Sequence, residues 1–223
     1  MKKITKIVFA TLLIASTSIQ AQTALKKGSV TYKMNVSGND EAAAMMGEST
    51  ITIHFDEKNQ ATEMSMMGGM VLTKTITPTD NIKNSKMAIE ARGMKYEISD
   101  AGEEASKSNN SIGNLDNAIE VVFDKKDTKE IVGFKCYKAK VKMNDGSITD
   151  FYITEAIAPQ QSSKEAKVKL SGYPLEIKIT NDQSDITMTA TSFAKEIPKD
   201  CFIIGDGYTK VTMEEFQKQM GGM

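Results

Sequence analysis

The feature that most constrains this chain is an alternation of apolar and polar residues within residues 118–154. In its middle part, lysines separate four apolar residues: Tyr137, Ala139, Val141 and Met143. A period of two is typical of a half-buried β-strand. Residues 144–147, Asn-Asp-Gly-Ser, favour a tight turn because Asn, Asp and Gly accept positive φ. The region therefore predicts three strands joined by turns.

The same alternation recurs along most of the chain. Its clearest example is at residues 28–38, and it returns at residues 49–56, 61–67, 70–77, 86–91, 94–99, 175–179 and 186–190. One face of each segment is apolar and the other is dense in Thr, Lys and Glu, which fits an antiparallel sheet with one wet face. We therefore predict a mainly β fold, with an antiparallel, strongly curved sheet around a core or a cavity.

Helical signals are few. Residues 212–215, Thr-Met-Glu-Glu, form a capping-box pattern, which predicts a short C-terminal helix near residues 212–220. A weaker pattern predicts a second short helix at residues 161–170. Residues 39–47 are interpreted as a loop or short helix, and residues 100–117, rich in Ser, Asn, Gly and charge, as a mobile loop. The fold class thus includes one to three short helices.

The first residues have the three parts of a secretory signal peptide. Lys2, Lys3 and Lys6 precede an apolar run, and small residues end it at Ala21. The run is shorter than the ~20 residues that span a bilayer. We predict a signal peptide at residues 1–21, a single β-rich domain at residues 22–223, and a mature protein that is periplasmic or secreted and has no transmembrane segment.

The charge balance argues against one class of partner. The whole chain has a net charge of −1, and removing the three lysines of the signal peptide makes it more acidic. Phosphate binding requires clustered Lys and Arg. We therefore predict no nucleic-acid partner.

The chain has two cysteines, Cys136 and Cys201. In an exported protein such a pair indicates a disulfide. In the chain-entropy model, a bridge across this distance would stabilise the fold by about 4 kcal/mol. The alternative is a pair of buried free thiols, and the sequence leaves both open.

Catalytic patterns are weak in this sequence. The single histidine, His54, falls on the predicted wet face among threonines, and the residues around it do not form the pattern of a nucleophile beside a base that a carboxylate orients. There is no Gly-rich phosphate loop and no zinc or EF-hand spacing. The sequence predicts a surface histidine, no catalytic residue, no cofactor and no enzymatic activity.

Methionine is the unusual component, with fifteen residues in a chain that has no Trp. Thioether sulfur is a soft ligand that selects Cu(I), so Met64, Met66, Met67 and Met70 are an alternative metal site if the chain bends at Gly68. Methionine is also flexible and polarisable, so a Met-lined cavity adapts to varied acyl chains. The third possibility is that these residues fill gaps in the core.

Several segments carry a resemblance to a known family. They are residues 28–34 (GSVTYKM), a Met/Gly-rich MMG segment, residues 130–139 (EIVGFKCYKA), residues 172–176 (GYPLE), and Gly-Tyr at 207–208 before a Met/Gly tail. This order resembles the DUF4412 family of exported Bacteroidetes proteins and, more distantly, the GLPGLI family and the LolA/LolB-like lipoprotein carriers. The resemblance implies a half-open antiparallel β-barrel with a helical lid and an apolar concavity. Relatives of that shape carry acyl chains of lipoproteins.

The leading hypothesis is a non-enzymatic periplasmic binding protein that holds an apolar ligand, a lipid or an acyl chain, in the concave side of the sheet. The predicted lining is Met34, Ile53, Phe55, Met64, Met66, Met87, Ile89 and Met188. A copper-handling envelope protein and an interaction or scaffold component of an envelope complex are the alternatives.

Overall fold

A computed structural model describes residues 23–37, 49–103, 115, 117–159, 167–180 and 185–221 of the chain. The predicted signal peptide, the predicted loop at residues 39–47, most of the predicted loop at 100–117 and most of the predicted helix at 161–170 lie outside the described residues. Residues 167–170 of that predicted helix are described and are not helical.

Twelve strands form one sheet. They are β1 (Gly28–Ser37), β2 (Ser49–Phe55), β3 (Asn59–Met66), β4 (Val71–Pro78), β5 (Lys86–Ala91), β6 (Met94–Ile98), β7 (Ala118–Ile131), β8 (Phe134–Met143), β9 (Ile148–Thr154), β10 (Tyr173–Thr180), β11 (Asp185–Ala194) and β12 (Thr209–Val211). Their order in the sheet is β12-β6-β5-β4-β3-β2-β1-β11-β10-β9-β8-β7. β12 runs parallel to β6, and all other pairs are antiparallel.

The sheet is large, open and curled, so the predicted mainly β antiparallel fold class is confirmed. Short hairpin turns join most neighbours. The β7–β8 turn has positive φ at Val132 (45°) and Gly133 (81°), and the β5–β6 turn has it at Arg92 (53°) and Gly93 (78°). Positive φ at both central residues gives a turn whose twist matches the paired strands.

The inner face of the sheet supports two separate hydrophobic clusters. The first core lies on β1, β2 and β7–β11, and its fully buried members include Val141, Phe151 and Ile153. Tyr32 is buried there with its hydroxyl donating to the carbonyl oxygen of Pro174 at 2.7 Å, so this polar group is satisfied. The second core lies on β5, β6 and β12 and includes Ile89 and Tyr96.

Helical structure in the described residues is short. Met67–Gly69 and Ile82–Asn84 are 3₁₀ turns, and α1 spans Met213–Gly221. The predicted capping box is present: Glu215 N–H donates to Thr212 Oγ1 at 3.2 Å, and Thr212 N–H donates to the Glu215 carboxylate at 2.7 Å. α1 covers the second core through Phe216, whose ring lies 5.4 Å from that of Tyr96.

Candidate functional site

The predicted lining residues are divided between the two cores. Four of them are buried in the first core by the protein's own side chains: Met34 (7% exposed), Ile53 (8%), Phe55 (7%) and Met188 (2%). Met34 and Met188 are direct cross-strand partners on β1 and β11. Ile89 belongs to the second core, and Met87 packs against it. The structure therefore does not bring the eight predicted residues around one common hollow.

A half-buried stripe separates the two cores on the inner face. The backbone register gives it three cross-strand pairs of β3 and β4: Gln60–Thr77, Thr62–Thr75 and Met64–Thr73. All six residues are half-buried, and Met66 and Met87 continue the same face. We call this set of eight residues the inner stripe. It contains three of the predicted lining residues, Met64, Met66 and Met87.

The polar members of the inner stripe were missed at the level of the sequence. Thr73, Thr75 and Thr77 alternate in β4. The sequence pattern predicts threonine on the wet face, because the outward positions of other strands are rich in it. The register corrects this: Thr75 pairs with Met87 on one side and Thr62 on the other, and Thr62 pairs with Ile53 of the first core. The alternation with a period of two in residues 73–77 is the sequence signal from which these threonines could have been identified.

One end of the inner stripe opens into a depression of about 290 Å³. Its lining consists of Lys26, Phe55, Asp56, Glu57, Asn59, Gln60, Thr79, Ala158, Pro159 and Tyr173. The Phe55 and Tyr173 rings stack at 5.1 Å between centroids, and Lys26 Nζ lies 2.7 Å from Glu57 Oε1 at the rim. We call this feature the end depression. It combines an aromatic wall with charged and amide groups.

The chain that joins β11 to β12 contacts β4 and β5 on the opposite, outer face of the sheet. We call residues 195–208 the strap. Lys74 Nζ donates to the carbonyl oxygen of Asp200 at 3.2 Å, and the Tyr208 hydroxyl donates to the Glu90 carboxylate. That bond lowers the pKa of Glu90 and raises the pKa of Tyr208 to about 12. The strap is thus hydrogen-bonded to the sheet at Asp200 and at Tyr208.

A second depression of about 300 Å³ lies on this outer face, next to the strap. It is lined by Thr50, Thr52, Glu63, Met64, Ser65, Leu72, Thr73, Lys74, Ala88, Glu90 and Tyr208. Its charged groups are already paired: Lys74 Nζ lies 3.1 Å from Glu63, and Glu90 interacts with Tyr208 and Lys95. Any ligand there would have to break these pairs.

The prediction of a surface histidine is wrong. His54 is only 6% exposed, although it lies on the outer face of the sheet. Its Nδ1 lies 2.6 Å from Ser29 Oγ, and its Nε2 lies 3.7 Å from Glu63 Oε2. The hydroxyl and the carboxylate that contact His54 therefore come from β1 and β3 and not from its own strand.

This Ser–His–Glu arrangement is closed to substrates. Ser29 is 9% exposed and His54 is 6% exposed, so the hydroxyl and the imidazole are both buried away from a reacting group. What the contacts supply is hydrogen-bond satisfaction for two buried polar groups. We interpret the arrangement as part of the packing between the strap and the sheet.

The predicted disulfide between Cys136 and Cys201 is absent, and both thiols are free and buried. Cys136 belongs to the first core on the inner face, whereas Cys201 belongs to the strap on the outer face near Lys74 and Glu63. The two thiols therefore have different neighbours, and no bridge joins them. Burial raises the pKa of Cys136 to about 11 and also raises the pKa of Cys201.

The four methionines of the alternative metal site lie at the β3–β4 turn. Gly68 has φ 66° and Gly69 has φ 91°, so the chain does bend there. Met67 (45% exposed) and Met70 (64% exposed) are open to solvent, whereas Met64 and Met66 are half-buried. Among the described residues, no group of three or more His, Cys, Asp or Glu side chains is placed to bind a metal ion.

Within the described part of the chain, no helix has both the length and the apolar character needed to span a bilayer.

Comparison with known proteins gives likenesses of structure only. No family model matches the chain, and no curated protein matches it. Among solved structures, the chain is similar to the lipoprotein LppX of Mycobacterium tuberculosis (10% identity, 76% of this chain and 88% of that one, TM-score 0.41). It is also similar to LprF of Mycobacterium bovis (11%, 77% and 88%, 0.38) and to a DUF1329 family protein of Desulfovibrio piger (8%, 80% and 90%, 0.38). TM-scores this low assign neither a family nor a ligand, and the DUF4412 resemblance stays a prediction.

Proposed function

We propose that this protein is a non-enzymatic binding protein of the cell envelope that holds an apolar ligand, a lipid or an acyl chain, along the inner stripe. The observation that carries the proposal is the interruption of the apolar layer. The inner face is closed by Val141 and Ile153 in the first core and by Ile89 and Tyr96 in the second. Between them the inner stripe stays half-buried.

The composition of the inner stripe suits a chain-like guest. Met64, Met66 and Met87 offer flexible, polarisable side chains that fit an irregular apolar surface. Thr62, Thr73 and Thr75 expose a methyl group with a hydroxyl that can bond to backbone or water. From Gln60 to Met66 the stripe is about 20 Å long at the rise of a β-strand. Contacts with such a guest would be mainly dispersive, as in most small-molecule sites.

The assignment to the envelope rests on the sequence. Lysines followed by an apolar run and small residues at residues 1–21 support export from the cytoplasm. The proposal that the protein is not an enzyme is supported by the burial of Ser29 and His54, which form the Ser–His–Glu arrangement in the described part of the chain.

The first experiment is native mass spectrometry of the protein purified from the envelope of its host without a delipidation step. We expect a mass above that of the polypeptide, and we expect extraction with organic solvent to remove the excess. A clean polypeptide mass in the native sample would contradict the proposal.

A pair of variants tests whether the ligand binds along the inner stripe. Thr75→Trp fills the middle of the inner stripe, whereas Thr128→Trp places the same side chain at an exposed position on β7. We expect Thr75→Trp to lower the copurified ligand at least tenfold and Thr128→Trp to leave it unchanged. Equal retention of ligand by the two variants would place the guest elsewhere.

A second candidate function is copper handling, favoured by the bend at Gly68 and the exposure of Met67 and Met70. Titration of the full protein with Cu(I) against a competing chelator tests it. Binding tighter than the chelator that is lost in Met67→Leu together with Met70→Leu would support this candidate. Failure to compete, or competition unaffected by the two substitutions, would remove it.

A further inference from the structure

The inner stripe and the end depression are continuous. Gln60 belongs to both: it lines the end depression and pairs with Thr77 at the end of the stripe. The next pair along the strands is Thr62–Thr75, already between the two cores. A guest lying along the stripe would therefore place one of its ends in the end depression.

The end depression is charged, unlike the stripe. Lys26 and Glu57 form an ion pair at 2.7 Å whose side chains are 61% and 67% exposed. Asp56 also lines the depression, and its Oδ1 accepts the backbone N–H groups of Lys58 and Asn59 at 2.8 and 2.7 Å. These backbone bonds hold the Asp56 carboxylate at the start of the β2–β3 turn. One cation and two carboxylates thus surround the depression.

A ligand can readily replace the ion pair between Lys26 and Glu57. Exposed ion pairs contribute little to stability, because water screens both charges. A ligand that offers both a cation and an anion can replace this internal pair with two pairs of its own. A lysine ammonium binds phosphate as a point charge, and carboxylates bind an ammonium through charge-assisted hydrogen bonds. A ligand with only negative charge would satisfy Lys26 but would face Asp56 and Glu57.

The geometry points to an amphiphile with a zwitterionic headgroup, in which a primary ammonium lies close to a phosphate, as the guest of this site. Its ammonium binds Asp56 and Glu57, its phosphate binds Lys26, and its apolar chain lies along the inner stripe. This inference rests on the proposed function, since it names the chemical class of the same ligand. It adds that the end depression selects the headgroup.

The test uses three lipids with identical acyl chains: phosphatidylethanolamine, phosphatidylglycerol and diacylglycerol. Each is titrated into the delipidated full protein, and occupancy is measured by native mass spectrometry. We expect phosphatidylethanolamine to bind at least tenfold more tightly than either other lipid. Equal binding of all three, or tightest binding of phosphatidylglycerol or diacylglycerol, would overturn the headgroup inference and leave the proposed function standing. Binding of none would overturn both.

Variants tie the preference to the named residues. Asp56→Asn with Glu57→Gln removes both negative charges and keeps an oxygen acceptor for the turn, so we expect the preference for phosphatidylethanolamine over diacylglycerol to fall to below threefold. Glu103→Gln, at an exposed acid outside the end depression, is the matched control and should retain the full preference. A preference unchanged in the double variant would overturn the assignment.

Discussion

Two parts of the sheet differ in which face they bury. In the half made of β7–β11, the inner face is closed by residues such as Phe151 and Ile153, at 1% and 0% exposure, while the outer face presents charged pairs such as Lys138–Asp150. Around β3 and β4, in the other half, the outer face has buried residues instead, with His54 of the neighbouring β2 at 6% and Ala61 at 0% exposure. There the inner stripe is half-buried.

This difference in buried faces depends on which segments of the chain are available to pack on each face. The strap must connect β11, beside β1, to β12, beside β6, and it does so over the outer face of the strands between them. Outward residues such as His54 and Ala61 are buried, and the inner face of β3 and β4 is left half-buried between the two cores. One alternating pattern thus gives a closed core in one half and a candidate binding face in the other.

The largest expected effect is a loss of stability from a substitution in the first core. Ile153→Ala removes a fully buried side chain of the first core and should lower the free energy of unfolding by about 2–5 kcal/mol, because a cavity remains. Thr75→Ala on the inner stripe should change it by less than about 1 kcal/mol. Urea denaturation measures both. Equal losses at the two positions would mean that the stripe is as tightly packed as the core.

The next effect tests the covered outer face. Ala61→Leu adds volume at a position with no exposure under the strap, and overpacking should cost about 1–3 kcal/mol. Thr62→Leu, the next residue and on the opposite face, serves as its control and should cost less. Urea denaturation measures the free energy of unfolding of both variants. A tolerated Ala61→Leu would show that the outer face of this half is open.

A similar loss is expected from the polar contact under the strap. Ser29→Ala leaves His54 Nδ1 without its partner at 2.6 Å, and a buried unsatisfied group costs about 1–3 kcal/mol. Lys140→Ala, on the exposed outer face of β8, is the comparison and should be near neutral. The difference in urea midpoint between the two variants is the measurement. Indistinguishable midpoints would contradict the buried contact.

The smallest effect concerns pH and the strap. The hydrogen bond from Tyr208 lowers the pKa of Glu90 in the folded protein, so its stabilising contribution is present above the unfolded pKa of the carboxyl group. That contribution is lost as pH falls through the folded pKa. Tyr208→Phe should therefore be less stable than wild type at pH 7, and the difference should shrink below about pH 4 in thermal unfolding. A difference that does not vary with pH would assign it to packing alone.

Much of the fold was predictable because strand identity is a local property. A period of two in residues 137–143 and 28–36 specifies extended chain whatever surrounds it, and Asn-Asp-Gly-Ser at 144–147 specifies a turn by its own backbone preferences. The capping box at residues 212–215 is equally local, since its partners are three residues apart. Each of these features forms as the sequence predicts.

The candidate site was only partly predictable, because burial of a face depends on distant chain. Met64 and Met87 were identified by residue type, but Thr62 and Thr75 became part of the site only through their register. The sequence predicts His54 at the surface, because the strap that crosses this face of the sheet lies more than a hundred residues later in the chain.

The sequence by itself therefore determined the strands, the hairpin turns and the C-terminal helix, all of which arise from neighbours along the chain. The tertiary structure decided which faces are closed, that Cys136 and Cys201 are buried in different surroundings, and that two cores leave a stripe between them. The physical reason is that alternation divides residues into two faces, whereas the removal of either face from water requires another segment to pack on it.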